Sequence, residues 1–285
     1  MPLPYRLALA GIDGSGKTTV VAGLRERLGE GEVATIHSPI FHDAPNAPLG
    51  LLSRQMQAVS YACDAIELRE LKAAILYLQM TLYGTVERSA IDAFEPRCIV
   101  SDRHAMVDTL AYGPLYRSML GAELDAGHWE PLLREQLAGA PPHSLDAVIE
   151  WHERQEERLG QATGFWELPH ELAKIFEREP ADVLAEFSRR YRTELPDAIL
   201  FLDVEPDEAL RRSATREGAS SELHESAAIL EKLREIYNGA LAGLEREYPQ
   251  MAVHRLDVTP LSLEETLDAV LELLGGAVDR VAGLP

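Results

Sequence analysis

The stretch Gly11-Ile12-Asp13-Gly14-Ser15-Gly16-Lys17-Thr18 has the pattern G-x-x-x-x-G-K-T, in which each residue type has a task on a polyphosphate. Gly11, Gly14 and Gly16 let the chain bend around a phosphate and turn several backbone N–H groups toward it. Lys17 brings a positive charge to the β- and γ-phosphates, and the Thr18 hydroxyl is a ligand for Mg²⁺. A second polar cluster, Ser101-Asp102-Arg103-His104, follows the apolar run Cys98-Ile99-Val100. Polar groups at the C-terminal end of a buried strand are where open α/β sheets hold ligands. Asp102 is therefore placed as the acidic partner of Mg²⁺, a role compatible with capping the segment that follows. Both clusters suit phosphoryl transfer, which depends mainly on positioning and on neutralising charge.

The elements around these clusters fit. Tyr5 to Ala10 is a short apolar run suited to a buried strand, and Thr19 to Leu28 has helical spacing, with Val20, Val21, Leu24 and Leu28 on one face. Strand, glycine loop and helix are the context the phosphate pattern requires, because the helix N-terminus adds its dipole to anion binding. Val33 to His37 reads as a second strand, and Ser38 to Gly50, with three prolines, as a loop. Leu51 to Ser60 and Ala62 to Ala93 read as helical, the latter with Leu68, Leu71, Ile75, Leu78, Leu82 and Val86 at spacings of three and four. Further strands are expected at Ala198 to Val204 and Ala252 to Asp257. Helices are expected from Pro206 through Arg212, over Ala227 to Leu244 and over Leu261 to Leu274. Strands alternating with helices imply a parallel sheet covered on both faces.

The chain has 285 residues, 46% of them hydrophobic, enough to bury a sizeable core. The net charge of −20 argues against a broad nucleic-acid surface while leaving room for a local basic pocket. The two cysteines, Cys63 and Cys98, lack metal-type spacing and are expected to be reduced thiols of a cytoplasmic protein. No basic region followed by a long apolar run opens the sequence, so no secretion signal is expected. No apolar stretch approaches the length of a membrane span, and no membrane partner is expected.

In its order of motifs the sequence resembles the thymidylate kinase family of P-loop kinases. The resemblance rests on Gly11 to Thr18 followed by Thr19, on Ala47-Pro48-Leu49-Gly50, and on Ser101-Asp102-Arg103-His104 with Leu110-Ala111-Tyr112. It continues in Phe201 to Pro206 with Ala209-Leu210-Arg211-Arg212, and in Leu256-Asp257-Val258-Thr259 with Leu263-Glu264-Glu265. Together these cover roughly 1–115 and 196–275. The resemblance implies ATP and Mg²⁺ as cofactors, with Gly11, Asp13, Gly14, Ser15, Gly16, Lys17, Thr18 and Thr19 holding the nucleotide and Thr18 and Asp102 the metal. It implies that Asp13 contacts the substrate sugar, that Arg103 clamps phosphates, and that Arg212 and Arg216 belong to a lid over about 211–225. The Leu256 to Thr259 turn would lie near the adenine. A solvated helix face is the alternative for Arg211 and Arg212.

The departures bear on the acceptor. The family carries arginines after the second strand and in a later helix; here Ser38 to Asp43 has none, and the helical pair falls near Met80 and Thr81. Serines 220 and 221 stand where the family's lid has an Asp-Arg motif. Asp102-Arg103-His104 and Gln79-Met80-Thr81 instead resemble segments of the herpesvirus thymidine kinases, in which the glutamine pairs with thymine. An amide offers a donor and an acceptor together, as a pyrimidine edge requires, although Gln79 also fits an exposed helix position. On the acceptor side the candidates are Asp13, Arg54, Gln79, Arg103, His104 and Tyr112.

From about Leu115 to Pro196 the chain runs beyond the family pattern, with Trp129, Trp151 and Trp166 and many acids. This insertion is expected to be helical and to pack over the acceptor side or to form an interface; a homodimer is one arrangement it would serve. Ser144 to Ile149 mimics Pro196 to Leu200, and the second copy is the core strand, because the arginines and the helix from Ala227 follow it.

The expectation is one three-layer α/β P-loop kinase domain, residues 1–285, with a parallel sheet of about five strands and a helical insertion. It would transfer the γ-phosphate of ATP, with Mg²⁺, to a small-molecule acceptor such as a thymidylate-like nucleoside monophosphate. Alternatives are a nucleoside, a non-nucleotide alcohol, or a role as an ATP-binding regulatory subunit without transfer.

Overall fold

The computed structural model describes residues 3–28, 32–44, 47–117, 120–121, 124–214 and 227–282. Its strands are β1 (Tyr5–Ala10), β2 (Val33–His37), β3 (Cys98–Asp102), β4 (Ala198–Asp203) and β5 (Ala252–Asp257). They form one parallel five-stranded sheet in the order β2-β3-β1-β4-β5. All of β3 and all of β4 but its last residue are buried. Successive side chains of a strand point to opposite faces, so burial at every position means that helices cover both faces. The result is the expected three-layer α/β architecture. Register sets Leu9 beside Asp102 and Ala10 beside Phe201, so the C-terminal ends of β1, β3 and β4 lie together.

The chain groups into two compact units, residues 1–37, 88–111 and 195–285 in one, and 38–87 and 112–194 in the other. The first holds the sheet, with α1 (Lys17–Leu28), α10 (Pro206–Ala214), α11 (Ala227–Glu247) and α12 (Leu263–Ala282). The second holds α2 (Gly50–Ala65), α3 (Arg69–Met80), α6 (Ala126–Gln136), α7 (Ser144–Leu159), α8 (Leu168–Phe176) and α9 (Pro180–Tyr191). Two of the four unit boundaries fall within α4 (Tyr83–Phe94) and α5 (Ala105–Arg117); the others follow His37 and Glu194. The segment expected as an insertion is helical, and Ser144 to Ile149 opens α7 while Ala198 opens β4, as the order of motifs required.

The stretch from Ala62 to Ala93 is helical as expected, divided among the end of α2, α3 and α4. The first break is a hydrogen-bonded reversal: Leu68 N–H donates to the Cys63 carbonyl at 2.9 Å and Glu67 N–H to that of Asp64 at 3.2 Å. Glu67 sits between them with φ 55°, the left-handed conformation that ends helices. The second break is at Thr81, whose hydroxyl donates to the Leu78 carbonyl at 2.5 Å and accepts the Trp151 indole N–H at 2.7 Å.

The second unit is organised around one buried cation. Arg190 is 1% exposed. Its Nε donates to Glu186 at 2.6 Å, its Nη1 to the Tyr77 hydroxyl at 3.0 Å, and its Nη2 to Gln161 at 3.0 Å and to Glu171. Glu156 stands 3.9 Å away. The guanidinium also lies 5.7 Å from the centre of the Tyr77 ring, which packs with Phe187 and Tyr191. One arginine thus ties α3, α7, α8 and α9 together. Removing one partner of a buried ionic cluster leaves the others buried and uncompensated. Arg190→Met is expected to lower the free energy of unfolding by about 3–5 kcal/mol. All three tryptophans lie in this unit, so urea unfolding followed by tryptophan fluorescence reads it; an unmoved midpoint would show that the cluster adds no net stability.

Candidate active site

The glycine loop leaves β1 at the C-terminal edge of the sheet and leads into α1, so the helix N-terminus faces the space the loop encloses. Two glycines are fixed by close approach. A Cβ on Gly11 would stand 2.6 Å from the Leu202 carbonyl oxygen, and one on Gly14, where φ is 82°, 2.3 Å from that of Ala209. The loop is thereby packed onto the end of β4 and onto α10. Lys17 is 5% exposed, and its ammonium donates to the carbonyls of Gly11 at 2.8 Å and Ile12 at 2.9 Å and to Ser15 Oγ at 3.3 Å. Burial, and secondarily the Arg103 charge, brings its pKa down from the usual lysine range to about 8.

The Thr18 hydroxyl donates to Asp102 Oδ2 at 2.5 Å, and His37 Nδ1 is 3.9 Å from the same oxygen. The expected pair is therefore assembled: a hydroxyl and a carboxylate, the hard oxygen donors that Mg²⁺ takes. Arg103 follows with φ 63°, a conformation uncommon for a residue with a side chain. Its N–H donates to the Leu9 carbonyl at 3.2 Å. Its guanidinium donates to Asp13 of the loop and, at 3.4 Å, to Asp108 of α5. Asp108 in turn accepts the Tyr237 hydroxyl of α11 at 3.1 Å. Burial raises the Asp108 carboxyl, opposed by Arg103, Lys17 and the Tyr237 hydrogen bond. His104, an expected substrate contact, is 1% exposed; its Nδ1 accepts the Met106 N–H at 3.3 Å, and burial lowers it to about 3, so it is neutral.

Beside the loop is a cleft of about 460 Å³, lined by Gly14 to Gly16 and Thr19, by Glu208, Arg211 and Arg212 of α10, and by the turn from Thr259 to Leu263. Arg212 donates to Glu208 at 2.8 Å and to the carbonyls of Val258 at 2.8 Å, Thr259 at 3.3 Å and Leu261 at 3.4 Å. It ties the turn to α10. Arg211 is 70% exposed and forks onto Glu208 with two contacts of 2.7 Å. Arg216 and the remainder of the expected lid from 215 on lie outside the described residues.

The other candidates belong to the second unit. Arg54 is exposed on α2 and Tyr112 half-buried on α5. Gln79 is 2% exposed on α3, and its amide oxygen has no hydrogen-bond partner among the described residues. An exposed helix position for Gln79 is thereby excluded. Sequence reasoning passed over Asp108, Tyr237 and Glu208. Asp108 stood within reach, six residues after Asp102 on the helix that the polar cluster opens. Tyr237 carried only the periodicity of a core position.

No protein-family model and no curated protein sequence matches the chain. Among solved structures it is similar to the thymidylate kinase of Candida albicans, at 14% identity and a TM-score of 0.46, over 96% of this chain and 92% of that one. It is also similar to the deoxyadenosine kinase of M. mycoides. The structure of that enzyme with the products dCMP and a flexible dCDP gives 14% identity and a TM-score of 0.47, over 95% of this chain and 99% of that one. The same enzyme with dCTP gives 13% and 0.46, with the same coverage. Likeness at this level concerns the course of the chain; the chemistry lies in the residues of this protein.

The lowered pKa of Lys17 sets a pH dependence. In the folded protein the ammonium loses its proton near pH 8, whereas the unfolded chain keeps it to 10.5. From this group stability rises with pH between those values, because the unfolded state binds more protons. The affinity of a nucleotide held at the loop would run the other way, since its phosphates require the cation. Affinity for Mg·ATP is expected to fall by up to about tenfold per pH unit above pH 8, with proton uptake on binding. Calorimetry at pH 7 and 9, in buffers of different ionisation enthalpy, checks this; Lys17→Met should remove the dependence.

Proposed function

We propose that this protein is an ATP- and Mg²⁺-dependent kinase acting on a thymidine-type acceptor, either the 5′-monophosphate or the nucleoside. The observation that carries the reading is the assembled loop: Lys17 poised on its carbonyls, Thr18 bonded to Asp102, and Arg103 held beside Asp13. The 460 Å³ cleft between the loop and the 259–263 turn suits the base and sugar of the nucleotide donor. Mg²⁺ held by Thr18 and Asp102 would neutralise charge on the phosphates. The acceptor oxygen attacks the γ-phosphorus, the bond from that phosphorus to the β–γ bridging oxygen breaks, and ADP leaves; a hydroxyl acceptor releases its proton to solvent as the new bond forms, whereas a monophosphate oxygen has none to lose. Lys17 and Arg103 supply positive charge as negative charge spreads over the moving group.

The buried amide of Gln79, whose oxygen meets no partner among the described residues, supports recognition of a pyrimidine edge, because an unpaired buried polar group is costly until a ligand meets it. A monophosphate acceptor adds about two negative charges that a buried site must neutralise. Arg54, a candidate cation for that task beside Arg103, is exposed on α2. This favours the neutral nucleoside over the monophosphate.

ADP formation with thymidine and with its 5′-monophosphate tests both readings. Lys17→Ala is expected to reduce turnover by on the order of a hundredfold or more, with the fold intact. Unchanged ADP release in that variant would remove the loop from the mechanism. Preference for thymidine that is lost in Gln79→Ala and indifferent to Arg54→Ala selects the nucleoside. Preference for the monophosphate that collapses in Arg54→Ala selects the nucleotide.

A further inference from the structure

Arg103 is gripped by two unequal carboxylates. Asp13 belongs to the glycine loop and its side chain is 39% exposed, within reach of a ligand; the Asp108 side chain is 6% exposed. Behind Asp108 stands the Tyr237 hydroxyl, on a residue with no exposure, packed on Phe201 of β4 with ring centres 5.6 Å apart. A phosphate arriving at Arg103 competes with Asp13, the accessible partner, and leaves the buried one in place. Side chains that hold a transition-state group must themselves be locked, because a displacement of about 1 Å costs rate rather than binding.

From this geometry we infer that Asp108, steadied by Tyr237, is the positioning residue for Arg103: a buried pivot on which the guanidinium turns from Asp13 to the transferring phosphate. The inference rests on the kinase reading, and deepens it by assigning a role to two residues of α5 and α11. It also accounts for a buried carboxylate at this position. A carboxylate there is costly unless paired, and its two oxygens are divided between a cation and a hydroxyl. The arrangement is one-directional. Tyr237 orients Asp108, Asp108 orients Arg103, and of the three only Arg103 would touch phosphate.

The test uses the full chain carrying Asp108→Asn or Tyr237→Phe, both close in shape to the original residue. ADP formation from Mg·ATP is measured with thymidine and with thymidine 5′-monophosphate. The Arg103 Nε–H resonance, assigned by its loss in Arg103→Lys, is followed by NMR. Asp108→Asn is expected to lower kcat about tenfold and Tyr237→Phe a few-fold, as for a hydrogen bond to a charged group and for its support. The ATP KM should stay within about twofold, since the ground state loses little. The Arg103 resonance should move in both variants while Tm is held. Wild-type kcat with an unmoved resonance overturns the inference, as does a kcat loss that follows the unfolded fraction. Should the wild type turn over neither probe, the acceptor reading fails and the resonance alone decides: displaced in both variants supports the pivot, unmoved overturns it.

Discussion

A buried ammonium is the constraint on which the sheet-bearing unit depends. Lys17 is almost without exposure, and a lone cation there would be costly, so the loop folds its own carbonyls onto it. Those carbonyls point inward only because the loop follows one path, and that path is fixed from outside. Gly11 lies against the end of β4 and Gly14 against α10, at distances that no side chain tolerates. The strand order brings the ends of β1, β3 and β4 together, which sets Asp102 within hydrogen-bond reach of Thr18. The site follows from one charge that had to be satisfied and from the backbone packed around it.

The rest of the charge distribution repeats this logic in an acidic chain of net charge −20. Arg103 lies between Asp13 and Asp108, Arg234 on Asp203 at 2.6 Å and Glu205 at 3.0 Å, Arg212 on Glu208, and Arg190 among three glutamates. Each of these arginines is held in a set orientation by carboxylates before any ligand arrives. An anionic ligand therefore competes with carboxylates for cations already oriented. Discrimination between ligands then turns on geometry, because bulk attraction to an acidic protein is unfavourable.

The glycine loop, the strands and the Thr18–Asp102 pair were legible because the signal is local: glycine and lysine spacing, apolar runs, and a polar cluster at a strand end. The break at Glu67 was not, because the left-handed position is filled by glutamate where glycine would have announced it. Gln79 sits beside Leu78 on a helix whose periodicity does not say which polar neighbour is buried. Arg212 read as part of a lid or of a solvated helix face from its place in the motif order; its guanidinium meets carbonyls that lie 46 to 49 residues further along the chain. Nothing in the sequence around Arg190 sets it apart from its charged neighbours. For these two arginines the deciding partners lie far away in sequence, and side-chain type alone does not name a distant partner.

The Arg212 tether has a consequence for engineering the cleft beside the loop. The turn from Val258 to Leu261 hangs on Arg212, Arg212 belongs to α10, and α10 presents the Ala209 carbonyl against which Gly14 is pressed. Reshaping that turn would therefore draw on the helix and, through it, on the glycine loop. The turn, the helix and the loop share one mechanical linkage. Directed evolution of the cleft would have to alter the turn and the Ala209–Gly14 contact as a single trait.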